Sequence, residues 1–138
     1  MSMLLLDTNI VSILFKPTHS LHRACFEIVQ GKQWFISFMT RGELLLWPSL
    51  NRWGAARRKQ LENHIDLCTT LFPDDATCRV WAGIMTESRA VGRPITAADA
   101  WVAAAAQQWE LPLMTADFRD FEHLDSLTIV PVPPTAGK

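Results

Sequence analysis

The 138-residue sequence lacks several features that would place it in a broad class of protein. Its longest apolar run, residues 100–106, is far too short to span a bilayer, so we expect no membrane segment. No basic stretch followed by a long apolar segment opens the chain, and we expect no signal peptide. Neither sign of charge dominates, since the sequence contains 13 Lys and Arg and 14 Asp and Glu. A polyanion would therefore have to be met by a local basic patch or by metal ions.

Cysteine is also scarce, which excludes two ways of stabilising a small fold. The three cysteines, Cys25, Cys68 and Cys78, are odd in number and form no CxxC pair, so neither a disulfide framework nor a zinc site is indicated. Each lies on an apolar stripe of a predicted helix, and we expect buried free thiols in a reducing cytoplasm. The composition, 49% hydrophobic and 20% charged, is that of one ordinary globular domain.

Short apolar segments alternate along the chain with stretches of helical periodicity. The apolar segments predict strands at residues 4–6, 34–38, 69–72, 111–114 and 127–130. Helices are predicted at residues 8–15, 54–67, 75–91 and 96–109, with one capped by Ser20 and one that starts at Thr40 and is disturbed at Pro48. This alternation is typical of an α/β fold, here a three-layer α/β/α sandwich with a mostly parallel sheet. We assign residues 1–132 to one domain and expect residues 133–138 to be a frayed tail.

Four acidic residues follow the predicted strands or open the central helix. Asp7 comes directly after the leucine strand, Glu43 follows the second strand, and Asp117 follows the LPLM strand. Asp99 lies in the first turn of the most apolar helix. Because the carboxyl ends of parallel strands meet at one edge of the sheet, we expect these carboxylates to converge there.

A purely structural explanation exists for each acid. The spacings Thr40-x-x-Glu43 and Thr96-x-x-Asp99 both resemble capping boxes, and Asp7 and Asp117 could be turn or cap residues. This explanation does not account for an acid at every strand-to-helix exit, or for Asp7 at the end of a run of leucines. Clustered carboxylates repel one another, and hard divalent cations such as Mg²⁺ or Mn²⁺ remove that conflict. The sequence therefore favours a metal site.

The segments LLDTNI, TRGELL, PITAADAWVAAAA and PLMTADFRDF, in this order, resemble the PIN domain, in particular the VapC-type toxins of toxin–antitoxin modules. The resemblance covers essentially the whole chain. It implies a parallel sheet of about five strands between helices, and cleavage of RNA phosphodiester bonds that depends on Mg²⁺, for which Mn²⁺ can substitute. The chemistry it implies is attack by a water that the metal activates, with one or two metal ions.

The resemblance also assigns roles to individual residues. The acids implied to bind metal and to act in catalysis are Asp7, Glu43, Asp99 and Asp117, and Asp120 is taken as a neighbour of the site. Whether Glu43 is a ligand or the general base stays open. The residues implied to support the site are Thr8, Asn9 and Thr115.

The implied partners are RNA, a VapB-like antitoxin that crosses the active-site groove, and a second copy of the chain in a homodimer. Three arginines near the acids in sequence, Arg93, Arg41 and Arg119, are candidates for binding RNA phosphates, although each could be an ordinary surface residue. Trp47 and Trp53, in the region of Pro48, are candidates for a protein interface.

Two rival functions remain at the level of sequence. In a phosphatase of the HAD type, Asp7 would be a nucleophile, but such enzymes carry a second acid two residues later, where this chain has Asn9. In a catalytically dead PIN-like module, the same fold would only bind a partner. Four intact acids argue against this second rival without excluding it.

Overall fold

The computed structural model describes residues 2–132, which contain five strands and six α-helices. The strands are β1 (Met3–Leu6), β2 (Gln33–Ser37), β3 (Thr69–Leu71), β4 (Leu113–Thr115) and β5 (Ile129–Pro131). The helices are α1 (Thr8–Phe15), α2 (His22–Val29), α3 (Phe38–Leu50), α4 (Ala55–Ile65), α5 (Asp75–Ala90) and α6 (Ala97–Gln108). The predicted frayed tail, 133–138, lies outside the described residues. No helix among residues 2–132 combines the length and the hydropathy needed to cross a membrane.

The five strands form one sheet in the order β3-β2-β1-β4-β5, and every neighbouring pair is parallel. The predicted α/β class with a parallel sheet of about five strands is therefore confirmed. The strand β1 is central, with Leu5 aligned with Phe35 on one side and with Leu113 on the other. A strand covered on both faces has no polar alternation, which explains the run of three leucines.

The two faces of β1 lead into two separate apolar cores. Leu4 and Leu6 pack with residues of α1, α2, α3 and α4, whereas Leu5 packs with residues of α5 and α6. The sheet is thus the middle of three layers. In α6 Ala100 and residues 102–106 are small and buried, so this helix can lie close to both the sheet and α5.

Some local predictions are wrong. Ser20 does not cap α2, whose N-cap is Leu21 without a side-chain hydrogen bond, and α3 continues through Pro48 to Leu50. Cys25 and Cys68 are buried as expected, but Cys78 is exposed. On α5 the buried positions include Thr77 and Ser88 instead. Hydrogen bonds that join Thr77 to the Asp74 cap and to Gln108 of α6 fix the rotation of α5, and apolar spacing does not report such bonds.

Candidate active site

The carboxyl edge of the sheet holds a cavity of about 460 Å³ whose lining includes all four predicted acids. Asp7 is the first residue after β1, and Asp117 lies two residues after β4. Glu43 lies on α3, which begins directly where β2 ends, and Asp99 lies in the first turn of α6. Segments that are far apart in sequence therefore bring their carboxylates to one edge, as the parallel strand order requires.

Asp7 is the most deeply buried of these acids, with 6% of its surface exposed. Its Oδ1 accepts a hydrogen bond from the backbone N–H of Thr8 (2.8 Å), and its Oδ2 accepts one from the hydroxyl of Thr115 (2.8 Å). Burial raises the pKa of Asp7 to about 6; the two hydrogen bonds oppose this rise, and the charges of Asp99 and Asp117 add to it. The residue does cap α1, but capping an N-terminus does not require burial beside other acids.

The hydroxyl of Thr115 and the amide of Asn9 join Asp7 to Asp117. Thr115 Oγ1 accepts from the backbone N–H of Asp117 (2.9 Å) while it donates to Asp7. Asn9 Nδ2 donates to Asp117 Oδ2 (2.8 Å), and Asn9 Oδ1 accepts from the backbone N–H of Ala116 (3.2 Å). The three residues expected to support the site thus all lie in it, since Thr8 also contacts Glu43.

The capping-box explanation for Glu43 is wrong. The side chain that caps α3 is Ser37, so the helix begins two residues earlier than predicted and Glu43 lies in its second turn. Thr40 is completely buried, and its hydroxyl lies 3.0 Å from that of Thr8. Thr8 Oγ1 in turn donates to Glu43 Oε1 over 2.7 Å. A hydrogen bond from α1 therefore fixes one oxygen of a carboxylate that is otherwise exposed.

Asp99 lies in the first turn of α6, close to several other carboxylates. Its backbone N–H donates to the side chain of Thr96, so the predicted cap of α6 is present. Partial burial raises the pKa of Asp99, and the carboxylates of Asp120, Glu43 and Asp117 raise it further.

Asp120, expected from the sequence to be a neighbour of the site, lies close to Asp99 but does not line the cavity of the four acids. It ends a short 3₁₀ helix, Phe118–Asp120, and among the carboxylates it has the largest effect on Asp99. Both residues line a second cavity of about 320 Å³. The spacing Asp117-x-x-Asp120 was the available signal, because a 3₁₀ turn brings residues three apart to the same side.

The three candidate arginines differ in their surroundings. Arg41 lies 4.0 Å from Asp66 and is absent from the residues lining the acidic cavity. Arg93 donates to the backbone carbonyl of Arg119 (2.8 Å) and to Glu122 (3.3 Å), so it holds the segment that carries Asp117. The guanidinium of Arg119 has no carboxylate partner within 4.0 Å among residues 2–132, and it lines the second cavity.

Residues of α3 form an apolar wall of the acidic cavity that the sequence interpretation did not assign to the site. Trp47 lines the cavity beside Leu46 and Leu50, which are 54% and 70% exposed. These three positions fall at i, i+1 and i+4 on the helix that also carries Glu43. The run LLLW directly after Glu43 is the sequence signal for such a wall.

The donor set of the cavity fits a hard divalent cation. It consists of carboxylate oxygens, and none of the four acids has a Lys or Arg partner within 4.0 Å among the described residues. Within residues 2–132 no three Asp, Glu, His or Cys side chains are yet grouped to hold one ion. The neutral donors Thr8, Asn9 and Thr115 hold the carboxylates of Glu43, Asp117 and Asp7 in place by hydrogen bonds.

Comparison with known proteins places this geometry in context. The family model described as PIN domain matches residues 4–127. Ribonuclease VapC1 of Haemophilus influenzae strain R2866 is 26% identical over 129 residues, which cover 89% of this chain and 92% of the relative. The crystal structure of VapBC2 from Rickettsia felis bound to a promoter DNA fragment matches with a TM-score of 0.82 at 17% identity, covering 95% of this chain and 99% of the other. VapBC-5 of Mycobacterium tuberculosis, from the VapBC family of toxin–antitoxin systems, matches with a TM-score of 0.69 at 26% identity, covering 96% and 100%.

Proposed function

Because the chain belongs to the PIN domain family, we propose that it is a metal-dependent endoribonuclease that acts as the toxin of a toxin–antitoxin module. The observation that carries the proposal is the convergence of Asp7, Glu43, Asp99 and Asp117 on one cavity without a basic partner. The names of the similar proteins, a ribonuclease VapC1 and a VapBC toxin–antitoxin system, support it.

Asp7 and Asp99 are the principal ligands in this proposal, with Glu43 and Asp117 completing the site. Burial makes the charged form of Asp7 unfavourable in the cation-free protein, and a divalent cation would favour that form. When bound, Mg²⁺ or Mn²⁺ would supply Lewis acidity toward water and would neutralise charge on the phosphodiester.

The two carboxylate oxygens of Glu43 differ in their hydrogen bonds and therefore in their proposed roles. Oε1 accepts the hydrogen bond from Thr8, which fixes the orientation of the carboxylate. Oε2 makes no hydrogen bond among the described residues, and the side chain is exposed, so Oε2 can accept a proton from water and pass it to solvent. Glu43 is therefore the candidate general base, while the buried Asp7 is better suited to hold a cation.

The apolar wall beside the acids supports the proposed protein partner. Leu46 and Leu50 expose much of their surface at the rim of a cavity that is otherwise acidic. A VapB-like antitoxin that lies across this groove would cover both leucines and keep RNA from the carboxylates. We also propose that the chain forms a homodimer, by analogy with the same family.

The rival functions are less well supported. Asn9 stands where a HAD-type phosphatase needs its second acid, and its amide donates to Asp117, so it serves as a hydrogen-bond donor in the site. Membership of the PIN domain family also argues against a phosphatase of the HAD type. A catalytically dead PIN-like module stays as the alternative, and the experiment below separates it from an active nuclease.

The test is RNA cleavage by the purified chain, free of any antitoxin. We expect structured RNA to be degraded with Mg²⁺ or Mn²⁺ and to stay intact once EDTA is added. Expression of the chain in cells should arrest growth, and expression of Asp99→Asn should not. Absence of cleavage on any RNA, together with absence of metal uptake in calorimetry, would establish the dead module instead. Cleavage that persists after chelation would exclude the metal-dependent mechanism.

Thr8→Val tests how far the orientation of Glu43 matters. The substitution keeps the shape of the side chain and removes the hydroxyl that donates to Glu43. We expect cleavage to fall by about 10- to 100-fold, as for other residues that orient metal ligands or bases. The matched control is Thr86→Val on α5, where the exposed hydroxyl bonds only its own helix. Equal activity of the two variants would show that this hydrogen bond has no role.

A further inference from the structure

Four residues beside the acidic cavity form a surface that combines aromatic rings with cations, here named the basic aromatic patch: Lys16, Trp47, Trp53 and Arg57. Lys16 Nζ lies 4.6 Å from the centre of the Trp47 ring, and the Arg57 guanidinium carbon lies 4.0 Å from that of Trp53. The two tryptophan rings are 5.6 Å apart, so the four side chains form one continuous surface.

The patch begins at the wall of the acidic cavity. Trp47 lies one helical turn after Glu43 on α3 and lines the cavity with it. Trp53 extends the surface outward through the loop between α3 and α4, and Arg57 in the first turn of α4 ends it. A chain-like ligand with one end among the acids would therefore cross Trp47 first and the cations next.

The cations of the patch have no acidic partners in the part of the chain that the structure describes. Neither Lys16 nor Arg57 has a carboxylate within 4.0 Å, and the same holds for the neighbouring Arg58 and Lys59. Glu62 follows one turn later on α4 and is also beyond that distance. The first turn of α4 contains no acid, although a helix N-terminus favours acids over cations. This concentration of positive charge without acidic partners is therefore available to bind an anion.

We propose that the basic aromatic patch binds the phosphate backbone of the RNA strand that leaves the acidic cavity, an inference that rests on the proposed ribonuclease function. A guanidinium or ammonium group that lies over an indole is held in place while its N–H groups can still donate hydrogen bonds to an anion. RNA is the polyanion that the reaction brings to the neighbouring cavity. The chain as a whole is nearly neutral, so a local surface must supply the attraction.

The test measures binding separately from cleavage. In an Asp99→Asn background, which keeps RNA intact, a fluorescently labelled single-stranded RNA is titrated by anisotropy at several salt concentrations. We expect Arg57→Gln and Lys16→Gln each to weaken binding about fivefold, and to lower the slope of log Kd against log salt by about 0.7, the change for one phosphate contact on a single strand. Arg57→Lys, which keeps the charge, should retain the salt slope and should weaken binding less than Arg57→Gln.

The matched control is Arg79→Gln on α5, which removes the same charge on the opposite side of the sheet, where Arg79 pairs with Asp75. Unchanged affinity and salt slope in Arg57→Gln and Lys16→Gln would overturn the inference. The proposed function would still stand if the parent chain cleaves RNA. If these variants instead lose self-association in sedimentation while binding RNA normally, the patch is a contact between copies. A parent protein that neither binds nor cleaves RNA would refute both proposals.

Discussion

Asp7→Asn is expected to reduce RNA cleavage by about a thousandfold. The substitution keeps the size of the side chain but removes the charge of the most buried acid in the cavity. A metal site of this kind contributes several kcal/mol to stabilising the charge of the transition state, and each 1.4 kcal/mol corresponds to a factor of ten in rate. The measurement is single-turnover cleavage of RNA with Mg²⁺ or Mn²⁺, together with calorimetric titration of the metal.

The control for this prediction is Asp125→Asn, which changes an exposed acid between β4 and β5 that is not among the residues lining the acidic cavity. It removes the same charge from the chain, so it corrects for any general electrostatic effect. Wild-type cleavage by Asp7→Asn would contradict the assignment of this carboxylate to the reaction. A loss of activity with unchanged metal uptake would instead make Asp7 a group that contacts the substrate.

The same variant is expected to stabilise the metal-free protein. Folding raises the pKa of Asp7 from 3.8 to about 6, so at pH 7.5 the folded protein holds an unfavourable buried charge. A pKa raised from 3.8 to about 6 corresponds to about 3 kcal/mol, and the hydrogen bond from Thr115 that the amide nitrogen of Asn cannot accept offsets about 1 kcal/mol of this. We therefore expect Asp7→Asn to raise the free energy of unfolding by about 2 kcal/mol, measured in urea with EDTA present.

The pH dependence gives this prediction a sign that can be checked. An acid whose pKa is higher in the folded state binds more protons there, so the stability of the metal-free protein falls as pH rises from about 4 to about 6 and then levels off. In Asp7→Asn this decline should become smaller, and the part that remains comes from Asp99, whose pKa is also raised in the folded state. The measurement is the free energy of unfolding of both proteins at pH 4.5 and 7.5. An unchanged decline in the variant would show that groups other than Asp7 cause it. Addition of Mn²⁺ at pH 7.5 should stabilise the wild type and have less effect on the variant.

The fold was predictable because its signals are local. An unalternating apolar run such as residues 4–6 predicts a strand buried on both faces, and the almost wholly apolar α6 predicts a central helix. The position of Glu43 within α3 was less predictable. Ser37 and Thr40 are both plausible N-caps, and the end of β2 decided between them.

The sequence by itself determined the alternation of strands and helices and the positions of Asp7, Glu43, Asp99 and Asp117 at one edge, because parallel strands send their carboxyl ends to the same side. Only the tertiary structure decided which side chains contact one another there. It turned Arg93 toward Glu122, brought Asp120 beside Asp99, and stacked Arg57 on Trp53. Contacts of these kinds depend on how the helices pack and on the paths of the loops between elements. The periodicity of a single segment determines neither the packing nor the loop paths.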